Sequence, residues 1–166
     1  MTDVMITASK VGNVHSIPIE IGNNYFDAKF DTGAGVTVIS ASVFSDAWTD
    51  DAAQKMEDFC KTRGCRIEEF SSASGHIIKG FPVLAQNVII GETTFPEFYY
   101  YFIVNGTRVV ALIGDDFLEN CQYSHEPHGD IHVTAFDFAN YPVRKSTPID
   151  NEDLLVFLDE LNQNQL

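Results

Sequence analysis

The chain has 166 residues, of which 45% are hydrophobic and 20% charged, a composition typical of one folded domain rather than a disordered segment. Its formal net charge of −14 argues against binding to nucleic acid, because phosphate binding requires Lys and Arg. The same charge disfavours anionic membranes, and the chain lacks the run of about 18 apolar residues that would indicate a membrane span.

Strands are predicted through most of the chain. A strand is predicted where apolar and polar residues alternate, or where β-branched residues are frequent, if Gly, Asn or Asp bounds the run. The predicted strands and hairpins lie at residues 14–21, 25–30, 36–40, 65–70, 77–83, 88–95, 98–104, 109–113 and 130–138. The aromatic run within 98–104 has no neighbouring Lys or Arg, so we expect it to pack in the core rather than stack on bases.

Helical spacing is confined to a few segments. A helical turn is predicted at 42–44, a helix at 52–60 that Gly64 stops, and a short helix at Gly114. After a linker with two prolines at 140–148, residues 151–161 predict an acidic, amphipathic helix with Asn151 as its cap. The sequence leaves open whether this helix packs on its own subunit, on a second copy or on a partner.

Two short motifs carry the functional argument. Asp31-Thr32-Gly33-Ala34 follows a predicted strand and precedes another, so a carboxylate sits on a tight turn with little side-chain bulk around it. About eighty residues later, the apolar strand ending Leu112-Ile113 runs into Gly114-Asp115-Asp116-Phe117-Leu118. Chemistry that needs an exposed but rigidly placed acid favours the first arrangement.

The two motifs, in this order, resemble the signature of the retropepsin-like aspartic proteases, and the resemblance reaches from about residue 11 to 138. It implies a mainly β fold, a single-lobe acid-protease closed β-barrel. A helical insertion, a short helix after the second motif and a C-terminal helix would complete it. Residues 1–140 would form the protease domain, and residues 141–166 the linker and the C-terminal helix.

The resemblance also implies a role for each motif residue. Asp31 would be the catalytic acid, and the Thr32 hydroxyl would bond across the dyad axis to the loop of a second copy. Gly33 would allow close approach of the backbone, and Ala34 would keep the loop compact. The second motif, with Gly114 and Asp116, would pack beneath the loop, with Asp116 as a cap or a bond to neighbouring backbone rather than a second catalytic acid.

A single Asp-Thr-Gly predicts a homodimer. Peptide hydrolysis needs a general base and an acid, and two carboxylates about 3 Å apart serve both roles by sharing one proton. Since the chain supplies one such motif, the second carboxylate is expected to be Asp31 of another copy. The predicted activity is that of an aspartic endopeptidase acting on an extended peptide, with no cofactor and no metal.

A polar segment at 71–76 predicts the tip of a hairpin with few apolar contacts. In the family that the motifs resemble, the hairpin after the catalytic strand is a flap that closes over the peptide. Carried over, Ser74, Gly75 and His76 lie near its tip and bind substrate. The alternative is an ordinary surface hairpin.

Two further alternatives remain open. His125, His128 and His132, with Glu126 and Asp130 between them, are residue types that bind zinc. They lack the helical His-Glu-x-x-His spacing, and polar residues are expected in a turn before a strand. The other alternative is a non-catalytic dimerisation or peptide-binding module with the same fold.

The N-terminus and the cysteines indicate the compartment. The first residues lack a basic region followed by a long apolar one, so no secretory signal is visible. Cys60, Cys65 and Cys121 are an odd number, which favours free thiols in a reducing compartment, although a Cys60–Cys65 bridge is sterically allowed. The sequence therefore predicts a cytoplasmic protein, or one that reaches another place without a classical signal.

Overall fold

The computed structural model describes residues 1–71, 74–105, 110–142 and 146–164. Strands dominate. The strands are β1 (Thr2–Val11), β2 (Val14–Ile21), β3 (Asn24–Phe30), β4 (Val38–Ser40), β5 (Glu68–Ser71), β6 (Ile77–Ile90), β7 (Thr93–Ile103), β8 (Ala111–Ile113), β9 (Cys121–His125), β10 (Ile131–Phe136) and β11 (Ile149–Asp150). The helices are α1 (Ala41–Phe44), α2 (Asp50–Thr62), α3 (Asp115–Leu118) and α4 (Asn151–Asn164).

The chain divides into two compact units. The first unit comprises Met1–Thr37, Gln86–Phe98 and Ala111–Val143, and the second comprises Val38–Ala85, Tyr99–Val110 and Arg144–Leu166. The long strands β6 and β7 contribute a part to each unit. The sequence-based division into residues 1–140 and 141–166 stays a prediction.

In the first unit the strand order is β8-β3-β2-β1-β10-β9, with β3 and β8 parallel and the other neighbours antiparallel. The end of β6 also pairs with β2, through Ile90 and Ile19. Side chains of this unit bury an aromatic cluster, in which the Phe136 ring lies 4.8 Å from that of Phe117 and 4.9 Å from that of Phe95. This core supports β8 and α3, which carry the second motif.

In the second unit β4 pairs in parallel with β7, β5 pairs antiparallel with β6, and β11 pairs in parallel with β6. The predicted aromatic run lies in β7 and is buried, which confirms that it serves packing. The predicted helix is also confirmed. Thr49 caps α2 by accepting a hydrogen bond from Ala52 N, and Met56, Phe59 and Cys60 lie on its buried face.

The C-terminal helix packs on its own chain, within the second unit. The Phe157 ring stacks on that of Phe59 at 4.4 Å, and the Tyr100 hydroxyl donates to Asn151 Oδ1 at 2.6 Å. Asn151 is buried and its side chain accepts this hydrogen bond from Tyr100. The prediction that Asn151 caps the helix was therefore wrong. The cap is Asp150, whose Oδ1 accepts a hydrogen bond from Glu152 N at 2.9 Å.

Three strands were missed by the sequence analysis: β1, β9 and the two-residue β11, which lies between the predicted linker and the predicted C-terminal helix. Along β1 only Ile6 and Ala8 are buried, so the strand has too short an apolar face to produce a clear alternation. Along β9 four of five residues are exposed and one is half-buried, so no buried face marks it. The predicted strand 109–113 begins at a residue outside the described part, and β8 covers only Ala111–Ile113 of it. None of the described helices is long and apolar enough to cross a membrane.

Candidate active site

The Asp31 loop leaves the sheet at the end of β3. Phe30 pairs with Ile113 of β8, and the Asp31 backbone N–H donates to Ile113 O at 2.9 Å, so the sheet fixes the position of Asp31. The chain then turns tightly, with Ala34 N donating to Asp31 O at 3.1 Å. Gly33 N donates to Asp31 Oδ1 at 2.9 Å, which orients the half-buried carboxylate. A Cβ at Gly33 would lie only 3.2 Å from that oxygen.

The start of α3 packs directly against this loop, backbone on backbone. Asp115 N donates to Ala34 O at 2.8 Å. A Cβ on Gly114 would lie 2.5 Å from Val36 O and 2.7 Å from Ala34 O, distances that real Cβ atoms do not reach. This close approach is the reason that residue 114 has to be glycine. Backbone conformation is not the reason, because a φ of −100° suits any residue. The second motif thus holds the Asp31 loop from one side.

Asp116 and Thr37 tie the two motifs together through side chains. Thr37 donates twice to the Asp116 carboxylate, from its backbone N at 3.0 Å and from its hydroxyl at 2.6 Å. The same hydroxyl accepts a hydrogen bond from Gly114 N at 3.1 Å. Burial raises the pKa of Asp116, and the Thr37 hydrogen bonds oppose that rise. The Asp116 carboxylate therefore links α3 to Thr37, which follows the Asp31 loop.

Thr37 was missed by the sequence analysis, which placed it in an apolar strand. Its side chain is 1% exposed, so it belongs to the interior that the strand prediction implied. The available signal was a hydroxyl in the middle of a Val and Ile run, directly after the glycine-rich turn. A buried hydroxyl needs a partner, and the two partners of the Thr37 hydroxyl, Asp116 and Gly114, lie 79 and 77 residues away in the sequence.

Thr32, the residue after Asp31, is exposed. Its side chain has no hydrogen-bond partner among the residues that the structure describes. It borders a narrow apolar cleft of the first unit. The cleft is lined by Phe30, Thr32, Leu118, Tyr123 and Ile131. A polar side chain thus sits beside apolar surface next to the candidate catalytic residue.

The predicted substrate-binding residues belong to the second unit. Ser71 pairs with Ile77, which confirms a hairpin of β5 and β6. Ser74, Gly75 and His76 are all exposed, and Gly75 has a φ of +81°, a conformation that favours glycine. Residues 72–73 of the predicted tip lie outside the described part of the chain. The role of these residues as a flap stays a prediction.

The predicted alternative metal ligands lie in and beside β9 and β10. Both ring nitrogens of His132 have partners, with Nδ1 3.2 Å from Thr7 Oγ1 and Nε2 3.1 Å from Glu126 Oε1. The His125 ring packs edge-on against His15, at 4.9 Å between ring centres. Asp130 Oδ1 accepts from Lys10 N at 2.9 Å. Within the described ranges, no group of three or more His, Cys, Asp or Glu side chains is arranged to hold a metal ion.

The comparisons with known proteins agree with the geometry at the level of the fold. No protein-family model matches the chain, and no curated protein matches it in sequence. Among solved structures, it is similar to the crystal structure of a retropepsin-like aspartic protease from Rickettsia conorii. The TM-score is 0.50 and the identity 16%, over 79% of this chain and 91% of that chain. The predicted fold class is confirmed: a mainly β, retropepsin-like closed barrel with a few helices, including one at the C-terminus.

Proposed function

We propose that this protein is an aspartic endopeptidase that acts as a homodimer, with one Asp31 from each copy. The observation that supports this proposal most strongly is the geometry of the Asp31 loop. A half-exposed carboxylate stands at the end of a strand, and backbone hydrogen bonds from Gly33, Ala34 and Asp115 hold its loop. Such an acid is accessible to a substrate, and its position costs no reorganisation at the moment of reaction.

The chemistry follows from two such carboxylates close together. One ionised Asp31 removes a proton from a water molecule, whose oxygen attacks the carbonyl carbon of the scissile peptide. The protonated Asp31 of the other copy donates its proton to the developing oxyanion. Collapse of the tetrahedral intermediate expels the amine, which receives a proton from the dyad. One proton is shared because two carboxylates about 3 Å apart do not both ionise. No metal or cofactor takes part.

We expect the second carboxylate to come from a second chain because the chain has a single Asp-Thr-Gly, and because Asp116 of the other motif is already engaged. The Asp116 carboxylate accepts two hydrogen bonds from Thr37 and so serves to hold the loop. We place the contact with the second copy at β9, the end of the strand order in the first unit. Its Tyr123 is 44% exposed and borders the same cleft as Thr32. An edge strand has unpaired backbone groups that a second strand can bind.

We propose that the substrate is an unfolded or extended peptide that binds as an added strand. The β5–β6 hairpin would supply the lid, with Ser74, Gly75 and His76 as its contact residues. Three free cysteines fit a reducing compartment such as the cytoplasm.

The test is hydrolysis of unfolded protein by Asp31→Asn and by a matched control, Asp27→Asn. Asp27 is exposed on the same strand, so the control removes the same charge without touching the loop. We expect Asp31→Asn to lose activity by about 10³-fold or more, with fold and dimer intact, because Asn cannot exchange a proton. Asp27→Asn should retain wild-type activity.

Retained turnover in purified Asp31→Asn would contradict the mechanism. A wild-type protein that forms dimers but cleaves no peptide between acidic and neutral pH would favour the alternative, a non-catalytic dimerisation or peptide-binding module.

A further inference from the structure

Two of the three cysteines meet at the end of α2, and the backbone brings them there. Arg63 is the C-cap of α2, and Gly64, with a φ of +72°, follows it. Gly64 N donates to Lys61 O at 3.1 Å, and Cys65 N donates to Cys60 O at 3.0 Å. These two bonds define a Schellman motif, in which the side chains of the third residue from the helix end and of the second residue beyond the cap are frequently in contact. Those two positions are Cys60 and Cys65.

The backbone geometry sets the two thiols close to each other, and both are shielded from bulk water. Cys60 is 0% exposed and Cys65 is 7% exposed. The sulfur of Cys65 also lies 3.8 Å from Pro82 O and interacts with the backbone of Arg66 and Ile149. The end of α2, β6 and β11 therefore converge at Cys65.

The polar surroundings make the two thiols chemically unequal. The hydrogen bond with Cys65, together with burial, raises the pKa of Cys60. The hydrogen bond from Cys60, together with those from the backbone of Arg66 and Ile149, lowers the pKa of Cys65. Burial raises the pKa of the remaining thiol, Cys121, to about 12. Cys65 is thus the thiol of the three that is most readily ionised, and the thiolate is the form that reacts with oxidants.

We propose that Cys60 and Cys65 form a redox-active dithiol, which a small peroxide such as hydrogen peroxide converts into an intramolecular disulfide. In the first step the Cys65 thiolate attacks one oxygen of the peroxide, becomes a sulfenic acid, and hydroxide leaves and takes up a proton as water. In the second step the sulfur of Cys60 attacks that of Cys65, the S–O bond breaks, and a second water leaves. Each disulfide therefore consumes one peroxide, and a reducing thiol restores both cysteines.

The competing interpretation is that the pair is only the apolar contact that usually accompanies a Schellman motif. An apolar contact predicts two inert thiols, whereas a dithiol site predicts selective oxidation at Cys65 and a linked product. The two interpretations therefore differ in a measurable product, and neither depends on the proposed peptidase activity.

The test is oxidation of the full-length native protein with hydrogen peroxide, followed by alkylation and tryptic mapping. Trypsin cleaves after Lys61 and Arg63, so it separates Cys60 from Cys65 unless a disulfide joins them. We expect the linked fragments as the main product, with the loss of two hydrogens, about 2 Da, and recovery of both thiols on reduction. In Cys60→Ala, dimedone should label Cys65 as a sulfenic acid, and in Cys65→Ala it should leave Cys60 unlabelled.

Cys121 is the internal control, because it is half-buried and has no neighbouring thiol among the described residues. Circular dichroism checks that each variant is folded, and the wild-type map decides the question if a variant does not fold. The proposal is overturned if native wild-type protein yields no linked fragments at a peroxide dose that oxidises Cys121, or yields them only after denaturation.

Discussion

The start of α3, which packs on the Asp31 loop of the first unit, and the β5–β6 hairpin of the second unit each contain a glycine, but the two glycines are required for different reasons. At Gly114 a Cβ would lie 2.5 Å from Val36 O, so the residue is small because backbone fills the space around it. At Gly75 nothing lies within 4 Å among the described residues, and the φ of +81° explains the glycine. Close backbone contact therefore explains the first glycine, and backbone conformation explains the second. We infer that the proposed enzyme keeps its acid rigid and its lid adaptable.

The largest effect is expected where contacts hold the loop. Gly114→Ala should lower the free energy of unfolding by about 3 kcal/mol and abolish peptidase activity, because backbone has to move to admit the methyl group. The matched control is Gly35→Ala in the Asp31 loop itself, where nothing among the described residues lies within 4 Å of the added Cβ, and it should change stability by less than about 0.5 kcal/mol. Urea unfolding, performed in an Asp31→Asn background to prevent self-digestion, measures both.

Equal free energies of unfolding for Gly114→Ala and Gly35→Ala would contradict this account. Such a result would mean that the backbone around Gly114 moves at no measurable cost to admit the methyl group.

A smaller effect is expected at the hairpin. Gly75→Val should lower kcat roughly tenfold, because closure of a lid needs backbone freedom that a β-branched residue removes. Gly12→Val is the matched control, since Gly12 has a φ of +63°, open space around it and a place in the β1–β2 turn. Both substitutions should cost about 1–2 kcal/mol of stability from the positive φ. Only the first should slow turnover, as steady-state kinetics on a peptide substrate would show.

If both variants keep full activity, the β5–β6 hairpin is not the lid. The turn between β6 and β7, around Gly91, would then be the next candidate.

The smallest effect is a pH dependence at Asp116. Burial raises its pKa above the ordinary value of 3.8, so the folded state binds a proton more readily than the unfolded state does. This contribution to stability is complete below 3.8 and is lost as the pH rises through the raised value. We therefore expect the free energy of unfolding of the parent protein, minus that of Asp116→Asn, to fall as the pH rises through this range.

Urea titrations of both proteins at a series of pH values provide the measurement. The trend should persist in about 1 M salt, because desolvation is not screened as surface charge is. A difference that grows with pH would mean that the Thr37 hydrogen bonds outweigh burial.

Sequence reasoning located the parts of the fold that local pattern encodes. The helix α2 was predicted from its spacing, and its buried Met56, Phe59 and Cys60 are the residues that the pattern indicated. The strand before Asp31 and the short helix after Gly114 were predicted equally directly. The local sequence pattern did not encode which strands pair with each other. The strand β9 has no buried face and becomes a strand only because β10 lies beside it.

The candidate site shows the same limit. Asp31 and Gly114 were found because short motifs mark them, but the reason for the glycine at 114 is a contact with Val36 and Ala34, which lie about eighty residues earlier. Thr37 belongs to neither motif, and its contribution to the site depends on its hydrogen bond with Asp116. Asn151 was misassigned because its side chain is used by Tyr100, a tertiary contact that a local capping rule ignores.

The central claim is that two Asp31 carboxylates from two copies form one site, and subunit mixing tests it most directly. Wild-type and Asp31→Asn chains are refolded together at constant total concentration, and peptidase activity is measured against the wild-type fraction. Because a mixed dimer has only one Asp31, our account predicts activity proportional to the square of that fraction, so an equal mixture keeps about one quarter of the activity. A linear dependence, with about one half retained, would contradict the shared site and show that each chain acts alone.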